Sequence, residues 1–276
     1  MLKNIRLHPL FWLVLGAGVF TGHFKEVLML FIIVFIHEMG HALTAVYLGW
    51  KVNRIELLPF GGVAETEDSG VKPIREEMYI VLAGPLQHIW LCGLSYMFVG
   101  QPFWSQYDHQ LFLMYNLMIV GFNLLPIYPL DGGRLVQLAC LVIWPYKRAL
   151  IVSLHVSFLL LIVMVVGLLF VPFHLNLYVV VLFLFVIHYL EFKQRHYRFV
   201  RFLMAKKQDG KHRNVHWICV NRHVHVREAV ALLKRGRTNR FRIVGQHGCS
   251  EVDEQMVLAA YFEPGKRSAT FGGLFT

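Results

Sequence analysis

Five consecutive residues, His37-Glu38-Met39-Gly40-His41, carry the first sign of chemistry in this 276-residue chain. Residues four apart share one face of a helix. Two imidazoles so placed can grip one divalent metal ion, and a glutamate beside the first can take a proton from water. Five letters with two open positions also arise by chance, so the surroundings matter. The preceding run, Val27–Ile36, has no charged residue. Ionisable groups inside an apolar helix are costly and usually functional. The bland alternative is two histidines and a glutamate satisfying one another within a helix bundle.

A zinc site of this kind needs a third protein ligand and an open position. Asp131 is the other carboxylate set among apolar residues, in Asn123-Leu-Leu-Pro126-Ile-Tyr-Pro129-Leu-Asp131-Gly132-Gly133. Pro126 and Pro129 each remove a backbone donor and disfavour helix in the residue before them. A helix must break here, and broken membrane helices are tolerated where they line a polar cavity. Asp131 is therefore the candidate third ligand. Its alternative role is to cap a helix starting at Gly132.

The elements that position these groups belong to a membrane protein. The chain is 56% apolar and only 16% charged, against about a quarter charged in soluble domains. Ile80–Leu94, Leu111–Leu125, Ala149–Val171 and Leu175–Leu190 are further runs almost free of charge. A bilayer core needs about 20 such residues as helix. The expected fold is a polytopic α-helical membrane protein with about six transmembrane helices, near 8–22, 25–49, 75–100, 110–143, 148–171 and 174–192. The fourth is interrupted at Pro126 and Pro129. Leu10–Gly22 has a basic flank like a signal peptide but no convincing small-x-small cleavage site, so it reads as a retained helix.

Lys3, Arg6, Lys51, Arg54, Lys72, Arg75, Lys147, Arg148 and the basic tail fall on one side of this arrangement. The positive-inside rule makes that side cytoplasmic and puts both termini there. Lys51–Val71 alternates and then turns at Gly61-Gly62, which predicts a cytoplasmic β-hairpin at the membrane face. Its open edge is a place to dock an extended peptide. His41 precedes Lys51 by ten residues, roughly 15 Å of helix, so a substrate entering from the cytoplasm can reach the metal.

Residues 1–190 hold 10 Lys+Arg and 10 Asp+Glu, so the tail carries the whole net charge of +10. That favours anionic lipid or an acidic partner. Nucleic acid is set aside, because no recognition motif accompanies the charge. The organisation expected is a membrane domain over 1–192, a flexible basic linker over 193–213 and a small α/β module over 214–276. The module has strand-like runs Trp217–Val220 and Arg240–Val244 and helical periodicity from Val226 and from Asp253.

His37-Glu38-Met39-Gly40-His41 on a membrane helix, with the Asn123-to-Gly132 stretch, resembles the site-2 protease family of intramembrane zinc metalloproteases. Leu58-Pro59-Phe60-Gly61-Gly62 and Ala83-Gly84-Pro85-Leu86-Gln87-His88-Ile89-Trp90 are similar to its sporulation branch. The resemblance implies one zinc on His37, His41 and Asp131, and Glu38 as catalytic base. It implies Asn123 near the reacting carbonyl or the substrate backbone. It implies cleavage near the membrane surface of the precursor of a sporulation factor, pro-sigma-K, activating mother-cell transcription. The setting implied is the mother-cell membrane around the forespore. Two inhibitory membrane partners follow, resembling stage IV sporulation protein FA and bypass-of-forespore protein A. The tail is similar to a cystathionine-β-synthase-type (CBS) domain, a candidate for ATP binding and for self-association as a homo-oligomer.

His88, His155, His174 and His188 are candidates for a supporting role around the metal and more often serve helix packing. Cys92, Cys140, Cys219 and Cys249 have no paired spacing and suggest neither a disulfide framework nor a zinc knuckle. Two other classes use the same residues. A metal carrier or channel would spread its ligands along several helices. An inactive regulatory scaffold would not need Glu38.

Overall fold

A chain in hydrocarbon must satisfy its own N–H and C=O groups, so uncharged runs of this length fold as helices. The computed structural model describes residues 5–7, 16, 18–50, 52–58, 61–66, 72–170, 172, 175–208, 215–245 and 248–275. Among these, four helices are long and apolar enough to cross a membrane: Phe24–Tyr47, Ile74–Phe98, Tyr146–Leu168 and Leu177–Gln208. The expected first helix, 8–22, lies mostly outside the described residues. The chain divides into two units.

The first unit comprises Met1–Ser69, Arg75–Pro126 and Leu130–Leu135. It contains β1 (Ile5–Leu7), α1 (Phe24–Tyr47), β2 (Val52–Leu58), β3 (Gly61–Thr66), α2 (Ile74–Phe98), α3 (Gln106–Asn123) and the start of α4 (Asp131–Ile143). The α1 helix stops where Gly49 takes a left-handed φ of 72°. Gly49 N–H then donates to Val46 O, and Trp50 N–H reaches back to Ala45 O at 2.9 Å. These bonds satisfy carbonyls that the helix end leaves open. Trp50 is buried and donates its indole N–H to Glu76 of α2 at 2.9 Å. At the other end, Ser105 and Asp108 form a capping box that starts α3. Lys25 of α1 donates to the same Asp108 carboxylate at 2.6 Å, tying α1 to α3. Met29, Ile33, Leu91 and Phe112 pack between α1, α2 and α3.

The expected hairpin is present as β2 paired antiparallel with β3, with Leu58 opposite Gly61. A third strand was not anticipated: β1 runs parallel to β2, with Ile5 opposite Ile55. The expected fourth helix, 110–143, is two helices, α3 and α4, separated by residues 124–130. A cis peptide joins Tyr128 to Pro129 there.

The second unit comprises Gly70–Ile74, Ile127–Pro129 and Val136–Thr276. Its helices α5 (Tyr146–Leu168) and α6 (Leu175–Gln208) are followed by β4 (Val215–Asn221) and the single turn α7 (Val226–Ala229). Then come a 3₁₀ turn (Val230–Leu232), β5 (Thr238–Gly245), β6 (Gly248–Asp253), α8 (Glu254–Phe262) and the short α9 (Phe271–Phe275). Leu159, Val163 and Leu182, each about 60% exposed or more, put apolar rows on the outside of α5 and α6. Such rows suit lipid rather than water.

The last membrane helix was expected to end near residue 192, with a flexible link after it. Instead α6 continues as 34 helical residues to Gln208. Its basic half is held by packing. Tyr146 stacks on Phe202 with ring centroids 3.9 Å apart. Lys206 is buried, donating to Arg237 O at 2.8 Å and pairing with Glu254 at 3.2 Å. Tyr146 N–H also donates to Leu233 O at 3.0 Å.

In the module, β4 pairs parallel with β5 and β5 pairs antiparallel with β6. Ile218, Val220, Phe241 and Ile243 point inward with Val257, Leu258 and Phe271. The inward residues fall two apart along each strand, as pleating requires. Sequence reading missed β6, a polar six-residue strand without an alternating apolar signal.

Candidate metal centre

The α1 helix aims both motif histidines at one point. His37 is 2% exposed and His41 lies one turn further on, half-buried. Their rings stand nearly perpendicular, with centroids 4.8 Å apart. The carboxylate of Asp131 comes from the first turn of α4. Asp131 is thus inside the helix rather than a cap before Gly132, and a carboxylate there also suits the positive helix end.

His37 Nε2 and His41 Nε2 are 3.1 Å apart. Asp131 Oδ2 lies 3.1 Å from the first and 3.2 Å from the second. Two imidazole nitrogens and a carboxylate oxygen are the donor set that zinc prefers. Metal–ligand bonds of 2.0–2.1 Å in a tetrahedron put neighbouring ligand atoms roughly 3.3 Å apart. The observed triangle has nearly that edge, so the residues present fit a zinc ion. Among the described residues these three are the group of His, Cys, Asp or Glu close enough to share a metal.

A second layer holds the rings. His41 Nδ1–H donates to Ile80 O of α2 at 2.7 Å, which leaves Nε2 bare. His37 Nδ1 lies 3.1 Å from His88 Nε2, and His88 Nδ1 lies 3.0 Å from Asn116 Oδ1. Hydrogen bonds of this sort fix tautomer and ring orientation at metal sites. Close helix packing makes them possible. A Cβ on Gly84 would overlap the His41 ring and come within 2.9 Å of His37 Cε1. A Cβ on Gly40 would stand 2.6 Å from Ala83 O. On the Asp131 side, a Cβ on Gly132 would run into Leu124 O and lie 2.5 Å from Leu125 O.

The other sequence candidates separate clearly. Glu38 follows His37 on α1 and is half-buried. Asn123 is the last residue of α3, half-buried, with its amide donating to Ile119 O at 3.1 Å. His88 joins the centre through His37. His155 instead bonds Ile151 O of its own helix at 2.7 Å, and His188 approaches Ser157 at 3.4 Å. His174 lies outside the described residues. Sequence reading has Gly40 and Gly84 only as members of motifs and misses the close packing they allow. It misses Asn116, whose trace is an amide within an apolar run.

The family model for peptidase family M50 matches residues 25–110. Stage IV sporulation protein FB of Bacillus subtilis is 39% identical over 268 residues, covering 95% of this chain and 92% of that protein. The chain belongs to peptidase family M50, the site-2 proteases. A solved site-2 protease from Methanocaldococcus jannaschii aligns with a TM-score of 0.52 and 31% identity, over 68% of this chain and 89% of that one. A zinc metalloprotease of the same archaeon is 38% identical over 114 residues, 40% of this chain and 32% of its own length. As a site-2 protease the chain is a zinc metalloendopeptidase of the membrane, and this sets aside the carrier and inactive-scaffold readings.

Proposed function

We propose that this site-2 protease cleaves a pro-sigma-K-like precursor near the cytoplasmic membrane face and so activates mother-cell transcription during sporulation. The observation that carries the reading is the 39% identity spread over 92% of a sporulation protein's length, tail included. Inhibitory partners resembling stage IV sporulation protein FA and bypass-of-forespore protein A belong to the same reading.

In this proposal His37, His41 and Asp131 hold zinc. A zinc ion held there would supply Lewis acidity toward a peptide carbonyl and a water. Glu38 is the base that takes a proton from the attacking water and returns it to the leaving amine. Asn123, at the mouth of the α3–α4 turn, holds substrate backbone or the developing oxyanion. The triangle of ligand atoms near 3.1 Å supports the ligand set. The β3 strand has one edge without a strand partner among the described residues, which suits docking of an extended segment.

The topology proposed has six crossings: the segment 8–22, α1, α2, the broken pair α3 and α4, α5 and α6. Both termini are then cytoplasmic. At 1.5 Å per residue, 34 residues of α6 make about 51 Å of helix. A hydrocarbon core is about 30 Å thick, so the basic end emerges toward anionic headgroups. Residues 214–276 are proposed as a CBS-like cytoplasmic module that binds substrate, with ATP as its candidate ligand and self-association as its candidate assembly. Its order of strand, helix, parallel strand, antiparallel strand and helix supports that likeness.

The test is cleavage in lipid vesicles of a pro-sigma-K-like protein, with the cut mapped by mass, by wild type and by Glu38→Gln. Cleavage by wild type alone supports the reading. Equal cleavage by both would end it, as would failure on this precursor while an unrelated membrane-tethered peptide is cut.

A further inference from the structure

We propose that His88 and Asn116 are positioning residues for the metal centre: a side-chain relay across three helices sets the tautomer of His37. The inference rests on the metal-site reading and deepens it.

Asn116 is 1% exposed, and its Nδ2 donates to Phe112 O of its own helix at 2.8 Å. This orients the amide so that Oδ1 meets His88 Nδ1 at 3.0 Å. An amide oxygen only accepts, so the proton lies on His88 Nδ1. His88 is itself 4% exposed among apolar helices, where a neutral ring with one proton is favoured over a charged one. Its Nε2 is then a bare acceptor. His37 Nδ1 faces that acceptor at 3.1 Å and must donate. A neutral His37 with its proton on Nδ1 has a bare Nε2, aimed at Asp131 Oδ2 and His41 Nε2, each 3.1 Å away. Four groups on α1, α2 and α3 therefore share one direction of donation. Each link leaves the next no other choice.

The two histidine ligands are held by different means. Ile80 O fixes His41, and a backbone carbonyl cannot be lost by substitution. His37 depends on two replaceable side chains. Removing either Asn116 or His88 frees the His37 ring to flip or to hold its proton on Nε2, where it cannot bind metal. Losing such a supporting partner typically weakens metal affinity about 10–100-fold.

The experiment uses the full-length protein in detergent. Zinc affinity is read by competition with a chromophoric chelator, and the visible spectrum of the cobalt(II)-substituted protein reports ligand geometry. His88→Phe and Asn116→Leu should each weaken zinc binding about 10–100-fold and alter the cobalt bands. Asn116→Asp, which keeps the accepting oxygen, should stay within a few-fold of wild type. Wild type also gives a direct reading that needs no variant to fold. ¹⁵N resonances of the His88 ring should show a protonated Nδ1 and a bare Nε2. A protonated Nε2 would overturn the relay. So would zinc affinity and cobalt bands unchanged in both His88→Phe and Asn116→Leu. A wild-type protein that binds no zinc would instead overturn the metal-site reading, and the relay's purpose with it.

Discussion

Gly84 of α2 stands where a single added carbon would enter the imidazole of His41. The triangle of candidate ligands thus depends on a residue outside it. Gly84→Ala is expected to reduce zinc content at least tenfold, although His37, His41 and Asp131 are all intact. Gly93, on the same helix, has nothing within 4 Å of an added Cβ, so Gly93→Ala should keep zinc. Metal analysis of both purified variants checks the pair.

Removing basicity and removing a ligand should separate. Glu38→Gln keeps size and helix propensity and is expected to retain zinc while cleavage falls by about 10²–10⁴-fold. Retention of a tenth of wild-type activity would mean another group is the base. Asp131→Asn should lower zinc affinity as well as activity, whereas Asn123→Ala should lower activity alone. Zinc stoichiometry beside peptide cleavage distinguishes the three.

Lys25 and Asp108 give α1 and α3 a pH-dependent tie. Hydrogen bonding from Lys25 draws the Asp108 carboxyl below its ordinary value of 3.8, burial opposes this, and Ser105 adds to the lowering. A depressed carboxylate stabilises the fold above its unfolded pKa, and that stability is lost as pH falls through the folded value. Thermal unfolding in detergent should therefore drop below about pH 4 in wild type. The drop should be smaller in Asp108→Asn, which starts less stable at neutral pH. Identical pH profiles would show the tie contributes nothing.

Glu254 is 5% exposed and accepts from Asn239 N–H at 2.6 Å, from the Asn239 side chain at 2.9 Å, and from Lys206. Glu254→Ala leaves a buried ammonium and two N–H groups without this acceptor, a loss of about 3–5 kcal/mol. Amide exchange across β5 and α8 should accelerate strongly. Protection equal to wild type would mean the pair is dispensable.

The tail can be tested as a docking module only if the cut respects α6. Removal of everything after Glu191 deletes Phe199 and Phe202, which pack with Tyr146 of α5, so it should cost stability as well as docking. A cut after Gly210 should leave zinc bound and a short membrane-tethered peptide cleavable, while cleavage of full-length soluble substrate falls steeply. Equal losses for both substrates would end the docking idea.

The sequence by itself determined what local periodicity and polarity can express. His37 and His41 are four apart, so one helix face carries both whatever surrounds them. Asp131 is conspicuous as a charge beside two prolines in an apolar setting, and those prolines end α3 without any tertiary help. The apolar runs required helices, alternation marked β2, and short strand-like runs marked β4 and β5. Tertiary structure decided the rest. Nothing in the spacing of Gly84, Ile80, His88 and Asn116 relates them to His37, because their meeting depends on the approach of three separate helices. The same holds for α6. Its basic composition reads as a solvated link, yet Phe199, Phe202 and Lys206 find partners on α5, at Arg237 just before β5 and at the start of α8. A side chain's charge is a local property. Whether it is solvated or buried depends on what packs against it, and that is set by residues distant in the chain.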